Sequence, residues 1–253
     1  MYKVSTNIKI FSFSLLILGL MGIGYGFYSA PKTVEESKEI IASQGYDSHS
    51  SSESHSSNSY GYDSHEKSHD EHVYHQLANR PWAALYVAAF FFFMISLGTL
   101  AFYAIQRASQ AGWSPVLFRV MEGITGYLLP GGIFVLIILV LSVLHFNHLF
   151  IWMDPEVVEH DKIIKAKSGY LEPYFFLFRG VIYLLGWSIY RYISRKFSIA
   201  QDNSNNNNYH IKNFKLSAGF LVFFLVTESM MSWDWIMSID PHWFSTLFGW
   251  YVF

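Results

Sequence analysis

The sequence predicts an all-α membrane protein, a polytopic helical bundle of five full spans and the start of a sixth, and three observations carry that reading. Of 253 residues, 52% are hydrophobic and only 14% are charged, whereas a soluble domain carries about 25% charged residues. The mean hydropathy is +0.23 although a long polar stretch is included. Apolar runs recur at the length a helix needs, roughly 20 residues, to cross about 30 Å of hydrocarbon. A formal net charge of −2 gives no electrostatic basis for a nucleic-acid partner. The complete lack of cysteine excludes disulfides, thiolate zinc sites, CxxCH haem attachment and iron–sulfur ligation by this chain.

The chain reads as an N-terminal transmembrane helix (1–29), a polar loop (30–81) and a helix bundle (82–253). The first span runs from Ile8 to Tyr28. Lys3 and Lys9 resemble the basic start of a leader, but the run is long, and Phe27, Tyr28 and Ser29 lack a small-x-small cleavage pattern. A retained helix is expected, with Gly22 and Gly26 forming a GxxxG pair suited to close packing. Within the loop, residues 43–75 are dominated by serine and histidine, including His49, His55, His65, His69, His72 and His75. Neutral imidazoles suit zinc, copper or nickel. Their irregular spacing offers no fixed ligand set, and too few apolar groups are present to repay ordering, so a solvated, disordered linker is expected.

The second span runs from Trp82 to Ile105, and the third from Val116 to His145 with Pro130-Gly131-Gly132 near its centre. A proline there removes a helical hydrogen bond and bends the chain, which favours a neighbouring cavity. The fourth runs from Tyr174 to Ile193, the Asn203–Asn208 tract is a flexible connection, and the fifth runs from Leu216 to Ile239. The sixth begins at Trp243 and reaches only Phe253. Eleven residues would strand helix ends in lipid, so the expectation is either a re-entrant segment or the front part of a longer protein, with the second favoured. Basic residues orient the bundle. A cytoplasmic N-terminus puts Lys3, Lys9, Arg107, Arg191, Arg195, Lys196, Lys212 and Lys215 inside, and the acidic 30–81 loop outside.

Charged groups within spans are costly and face a bundle interior or water. Arg119 and Glu122 lie three apart near the inner end of the third span, Arg179 in the outer part of the fourth, and Glu228 near the middle of the fifth. Asp234 lies further out on another face. Glu122, Glu228 and Asp234 thus occupy inner, middle and outer depths, the arrangement a proton relay uses, with Arg119 and Arg179 as charge partners. The alternative is a set of ion pairs that fix helix register. It is weakest for Glu228, since no basic residue shares its helix at that depth. His145, His148 and His242 gather by depth at the outer surface, with Trp233 nearby, and are candidate contacts for a quinone headgroup. Haem would need facing histidines, for which His242 is the sole candidate partner.

The most specific stretch is Ser232-Trp233-Asp234-Trp235-Ile236-Met237-Ser238-Ile239-Asp240-Pro241-His242-Trp243-Phe244-Ser245-Thr246. With Lys9-Ile10-Phe11, Gly22-Ile23-Gly24-Tyr25-Gly26-Phe27, Ala30-Pro31-Lys32-Thr33, Asn79-Arg80-Pro81-Trp82 and His148-Leu149-Phe150-Ile151-Trp152, it resembles the F-subunit family of alternative complex III. That family is also described as quinone-binding subunit 2 of quinol:cytochrome c oxidoreductase, among the polysulfide-reductase-type membrane subunits. The resemblance implies a multi-pass subunit of roughly ten spans in the bacterial inner (cytoplasmic) membrane, of which this chain is the first half. It implies a complex that oxidises menaquinol or ubiquinol and passes electrons through an iron–sulfur subunit and a multihaem cytochrome c toward a terminal oxidase. It also implies a related membrane subunit holding the better-supported quinol site, and a share in proton movement with no redox centre in this chain. Haem c and iron–sulfur clusters would belong to partner subunits, and quinone or menaquinone is the one small molecule in reach. The expected function is therefore scaffold, proton conduction and a quinone contact in a respiratory complex, catalytic only as part of it. A secondary transporter with a midplane carboxylate and a purely structural membrane anchor are the alternatives.

Overall fold

A computed structural model describes residues 5–43 and 62–252. The described helices are α1 (Thr6–Tyr28), α2 (Val34–Ser43), α3 (Tyr62–Ala108), α4 (Phe118–Ile124), α5 (Leu128–Val143), α6 (Pro155–His160), α7 (Lys162–Lys167), α8 (Pro173–Asp202), α9 (Asn208–Trp235) and α10 (Phe248–Val252). No strand occurs among the described residues. Among the described residues, four segments are long and apolar enough to cross a membrane: Thr6–Tyr28, Tyr74–Ala108, Ser114–Val143 and Asn208–Ile239. The chain is thus an all-α, multi-span apolar helical bundle. The segment expected as a fourth span lies in α8, which is 30 residues long but falls outside that set. Arg179, Arg191 and several tyrosines dilute its apolar run.

The chain divides into two units, Met1–Leu85 and Tyr86–Phe253. In the first, α1 buries none of its residues, and Gly22 of the GxxxG pair has nothing within 4 Å of its missing side chain. The start of α2 is organised by Thr33-x-x-Glu36. Thr33 Oγ1 accepts from Glu36 N at 3.3 Å, and Glu36 Oε2 accepts from Lys32 N at 2.7 Å, a variant of the capping box. The helix expected from Trp82 begins twenty residues earlier, at Tyr62, and runs through Pro81. Of the histidine tract, His49 and His55 lie outside the described residues.

The second unit takes α3 from Tyr86 onward and everything after it. Its core is aromatic: Phe93 of α3, Trp187 of α8 and Trp235 of α9 are fully buried, with ring centroids 6.2 Å apart for Phe93–Trp187 and 5.9 Å for Phe93–Trp235. Lipid tails are as apolar as these side chains, so packing and hydrogen bonds hold such helices together more than exclusion of water does. Glycines permit the close approach. A Cβ on Gly132 of α5 would stand 2.3 Å from Leu184 of α8, and one on Gly186 of α8 would stand 2.4 Å from the Phe223 ring of α9.

The break in the third expected span lies just before Pro130. A proline at that position cannot donate to the carbonyl of Gly126, and the chain tightens into a 3-10 turn at Thr125–Tyr127 between α4 and α5. Beside the break, the Tyr127 ring packs on Gly131 and the Leu184 side chain on Gly132. Two loop elements are set by their caps. Asp161 accepts from Ile163 N and Ile164 N at the start of α7, and Glu172 accepts from Phe175 N at 2.7 Å with Pro173 at the first position of α8. The asparagine-rich connection between α8 and α9 is pinned by Gln201, whose Nε2 donates to Asn206 O and whose Oε1 accepts from His210 N.

Candidate functional site

The α8 and α9 helices run antiparallel, and polar side chains meet between them at successive turns. Ser194 Oγ donates to Asn213 Oδ1 at 2.6 Å, and Asn213 Nδ2 donates to Ser194 O at 3.2 Å. One turn along, the Tyr190 hydroxyl and Ser217 Oγ are 2.8 Å apart, with the Tyr190 ring stacked on Phe220 at 3.7 Å. Trp187 Nε1 then donates to Thr227 Oγ1 at 3.0 Å. At the far end, Arg179 and Tyr183 of α8 meet Asp234 of α9. A helix spacing of three or four residues puts all these groups on one stripe of each helix. Hydrogen bonds of this kind inside a bilayer average about 0.6 kcal/mol each, so the stripe sets register more than it adds stability.

One end of the stripe opens into a four-helix charge cluster. Glu122 of α4 accepts from Arg119 Nη1 at 2.7 Å and from the Tyr103 hydroxyl at 3.2 Å. Arg107 Nε donates to the same Tyr103 hydroxyl at 3.1 Å, its Nη2 donates to Ser198 Oγ at 3.1 Å, and that Nη2 stands 4.0 Å from Glu122 Oε1. Arg119 also bonds Asp202 at the end of α8. Two arginines therefore face two carboxylates, and Ser194 Oγ, 3.3 Å from the Tyr103 hydroxyl, links the cluster to Asn213. Arg107, expected in the loop beyond the second span, is only 6% exposed and lies over the Phe118 ring at 3.8 Å.

Asp234 sits at the other end, fully buried, in a bidentate pair with Arg179. Nε to Oδ2 and Nη2 to Oδ1 are both 2.8 Å, and the Tyr183 hydroxyl donates to Oδ2 at 2.9 Å. Arg179 further donates to Tyr170 O at 3.1 Å and lies between the Tyr170 and Phe175 rings. Burial, helped by the Asp234 charge, pushes the Tyr170 hydroxyl well above the ordinary tyrosine range. The sequence placed Arg179 opposite some carboxylate; the structure supplies Asp234.

Glu228 is different. It is 2% exposed, and its Oε1 has no hydrogen-bond partner. A carboxylate oxygen in such surroundings needs a donor or a proton. The three carboxylates thus share one bundle but not one chemistry: Glu122 and Asp234 are saturated by arginine and tyrosine, and Glu228 keeps an open acceptor.

The four candidate quinone contacts occupy loop and surface positions. His145 is exposed at the end of α5 with φ 58°, a left-handed residue closing the helix, His148 is half-buried, and Trp233 is exposed. His242 Nε2 lies 2.5 Å from Asp161 Oδ2, and Lys167 Nζ donates to the neighbouring Pro241 O at 2.6 Å. The His242 contact holds the Asp161 carboxyl below its ordinary range, with the Ile163 and Ile164 amides assisting. Among the described residues no group of three or more histidines, aspartates and glutamates is gathered for a metal ion.

Sequence reasoning missed Tyr103, Arg107, Tyr183, Ser194, Asn213 and Asp202. A signal was present: Tyr103/Arg107 and Ser194/Ser198 are polar pairs four apart, hence on one helical face. Comparison with protein-family models and with curated proteins finds no match to this chain.

Proposed function

We propose that the chain is a membrane subunit of a quinol-oxidising respiratory complex of the alternative complex III type, serving as scaffold and as part of a proton path. The observation that carries the reading is the polar stripe between α8 and α9, bounded by buried carboxylates, in a bundle that is otherwise apolar. Intramembrane ionisable groups are costly and are kept where protons or ions move. The resemblance around Ser232–Thr246 supplies the particular complex. Its haem c and iron–sulfur centres then lie in partner subunits, and its quinol in the bilayer or at a neighbouring membrane subunit. The proposal includes a bacterial inner-membrane location, a cytoplasmic N-terminus, and a further span in α8. At 1.5 Å per residue, the 30 residues of α8 are long enough to cross, and its Arg179 charge is neutralised by Asp234.

Two measurements test this. Affinity purification from native membranes with mild detergent is expected to yield a particle containing c-type haem and other subunits; a haem-free particle of this chain alone overturns the respiratory reading. In reconstituted vesicles, Glu228→Gln is expected to leave assembly intact and to lower quinol-driven proton transfer by about a hundredfold, the scale of a lost proton-transfer group. Unchanged proton transfer removes Glu228 from the path. A second reading, a purely structural anchor, is favoured by one observation: Asp234 and Arg179 are saturated by each other, as register-fixing ion pairs are.

A further inference from the structure

Arg107, Arg119 and Arg179 each face a carboxylate, and Arg191 of α8 does not. Arg191 is half-buried. Its Nε donates to Thr125 Oγ1 at 3.3 Å, and its Nη2 lies over Gly126, 3.5 Å from where a Cβ would stand. Among the described residues that is the one hydrogen bond of a guanidinium with five N–H donors. Glu122, three residues before Thr125, is already held by Arg119 and Tyr103. Arg195, one turn further along α8, is exposed and also lacks an ion pair among the described residues. Like charges four apart on a helix repel each other. The imbalance extends over this end of the bundle. Residues 186–223 hold five basic side chains, Arg191, Arg195, Lys196, Lys212 and Lys215, against one acid, Asp202, which bonds Arg119.

Depth identifies the source of the missing anion. Ser114–Val143 is long and apolar enough to cross a membrane. Its uncharged part, α5, has 16 residues. At 1.5 Å each that is about 24 Å, most of a hydrocarbon core of roughly 30 Å. The turn at Thr125–Tyr127 therefore falls at one edge of the hydrocarbon, and Arg191 with it. Tyr127 and Tyr192 are exposed there, the ring type that sits at headgroup depth. Gly123 leaves the neighbouring surface bare, since a Cβ on it meets nothing within 4 Å. Guanidinium groups take phosphate oxygens through paired N–H donors, and basic sites at the ends of membrane helices take anionic headgroups. A free phosphate would have to leave water to reach Arg191, whereas a lipid phosphate already lies at this depth. A zwitterionic lipid would bring its own ammonium among five cations. We infer that Arg191 and Arg195 hold the phosphate of an anionic phospholipid seated between α8 and the Thr125–Tyr127 turn. The inference is independent of the respiratory reading, because it needs a membrane bundle and nothing about redox partners.

The test is native mass spectrometry of the chain purified in its native assembly, delipidated in detergent and titrated with phosphatidylglycerol. Phosphatidylcholine with the same acyl chains and inorganic phosphate are the comparison probes. Phosphatidylglycerol is expected to bind about tenfold more tightly than phosphatidylcholine, the scale set by two basic side chains at a headgroup. Arg191→Gln and Arg195→Gln are each expected to weaken its binding about tenfold, the scale of one hydrogen bond to a charged group. Arg195 is exposed, so its substitution leaves the fold in place and keeps the test open even where Arg191→Gln fails to assemble. Lys212→Gln/Lys215→Gln removes two charges of the same end, on α9. It is expected to change the affinity by less than about twofold, because screened charges away from the phosphate contribute little. Equal affinity for the two lipids, an equal loss in the α9 variant, or wild-type affinity in Arg195→Gln overturns the inference. Displacement of phosphatidylglycerol by inorganic phosphate at matching concentration shows a site for free phosphate and overturns the lipid assignment.

Discussion

Arg179 and Asp234 show how a charged pair is tolerated inside an apolar bundle. Both groups are well supplied with partners: a two-point fork between them, a tyrosine hydroxyl on the carboxylate, and a carbonyl and two rings on the guanidinium. Removing one member leaves the other charged, buried and unpaired, which costs about 3–5 kcal/mol. We expect Asp234→Asn and Arg179→Met each to lose that much stability in denaturant titrations in detergent micelles. The double variant Arg179→Met/Asp234→Leu should recover most of it, and additive losses would show that the pair is not coupled. Glu228 is the contrasting residue, because its unmet acceptor is what a ligand or a proton must satisfy. The sequence alone indicated that contrast, since Glu228 has no basic neighbour on its helix while Arg179 needed a carboxylate from elsewhere. It did not indicate that Asp234 would be that carboxylate. Residues 55 apart in sequence meet only when two helices are packed.

At the scale of the element, glycine and proline set where helices touch and where they break. Gly186 lies under the Phe223 ring, where a Cβ would come within 2.4 Å. Gly186→Val is therefore expected to cost about 1–3 kcal/mol through overpacking, read as a lower midpoint in the same titrations; no change would mean that Phe223 turns aside freely. The α7 cap answers to pH. Asp161 is held below its ordinary value of 3.8 by His242, so the contact contributes stability above that pH. The contribution is lost as pH falls through the depressed folded value. Thermal midpoints of the wild type and Asp161→Asn should differ at neutral pH and converge on acidification below about pH 4; a constant gap would rule out the pair as the cause. The position of the break before Pro130 was legible, because proline lacks an N–H whatever surrounds it. What packs against it was not, because the contacts of Tyr127 with Gly131 and of Leu184 with Gly132 depend on how the chain folds back.

Across the whole molecule, the first unit keeps α1 with no buried residue, and the second gathers its polar groups into the α8–α9 stripe and the Glu122 cluster. The absence of cysteine makes sidedness directly measurable. Single cysteines at Ser168 and Asn205, both exposed and at opposite ends of α8, should react with an impermeant maleimide from opposite faces of intact vesicles. Reaction from the same face would show that α8 does not cross. By itself the sequence determined the class of molecule, because apolar run length and scarcity of charge depend on composition and order alone. It also determined the small set of ionisable groups that had to be accounted for inside the bundle. Only the tertiary structure decided which of them are satisfied, because hydrogen bonds and ion pairs between helices depend on packing, which no local pattern encodes. Arg107, Tyr103, Ser194 and Asn213 became one network with Glu122, Asp234 was claimed by Arg179, and Glu228 alone of the three carboxylates was left with an unpartnered oxygen.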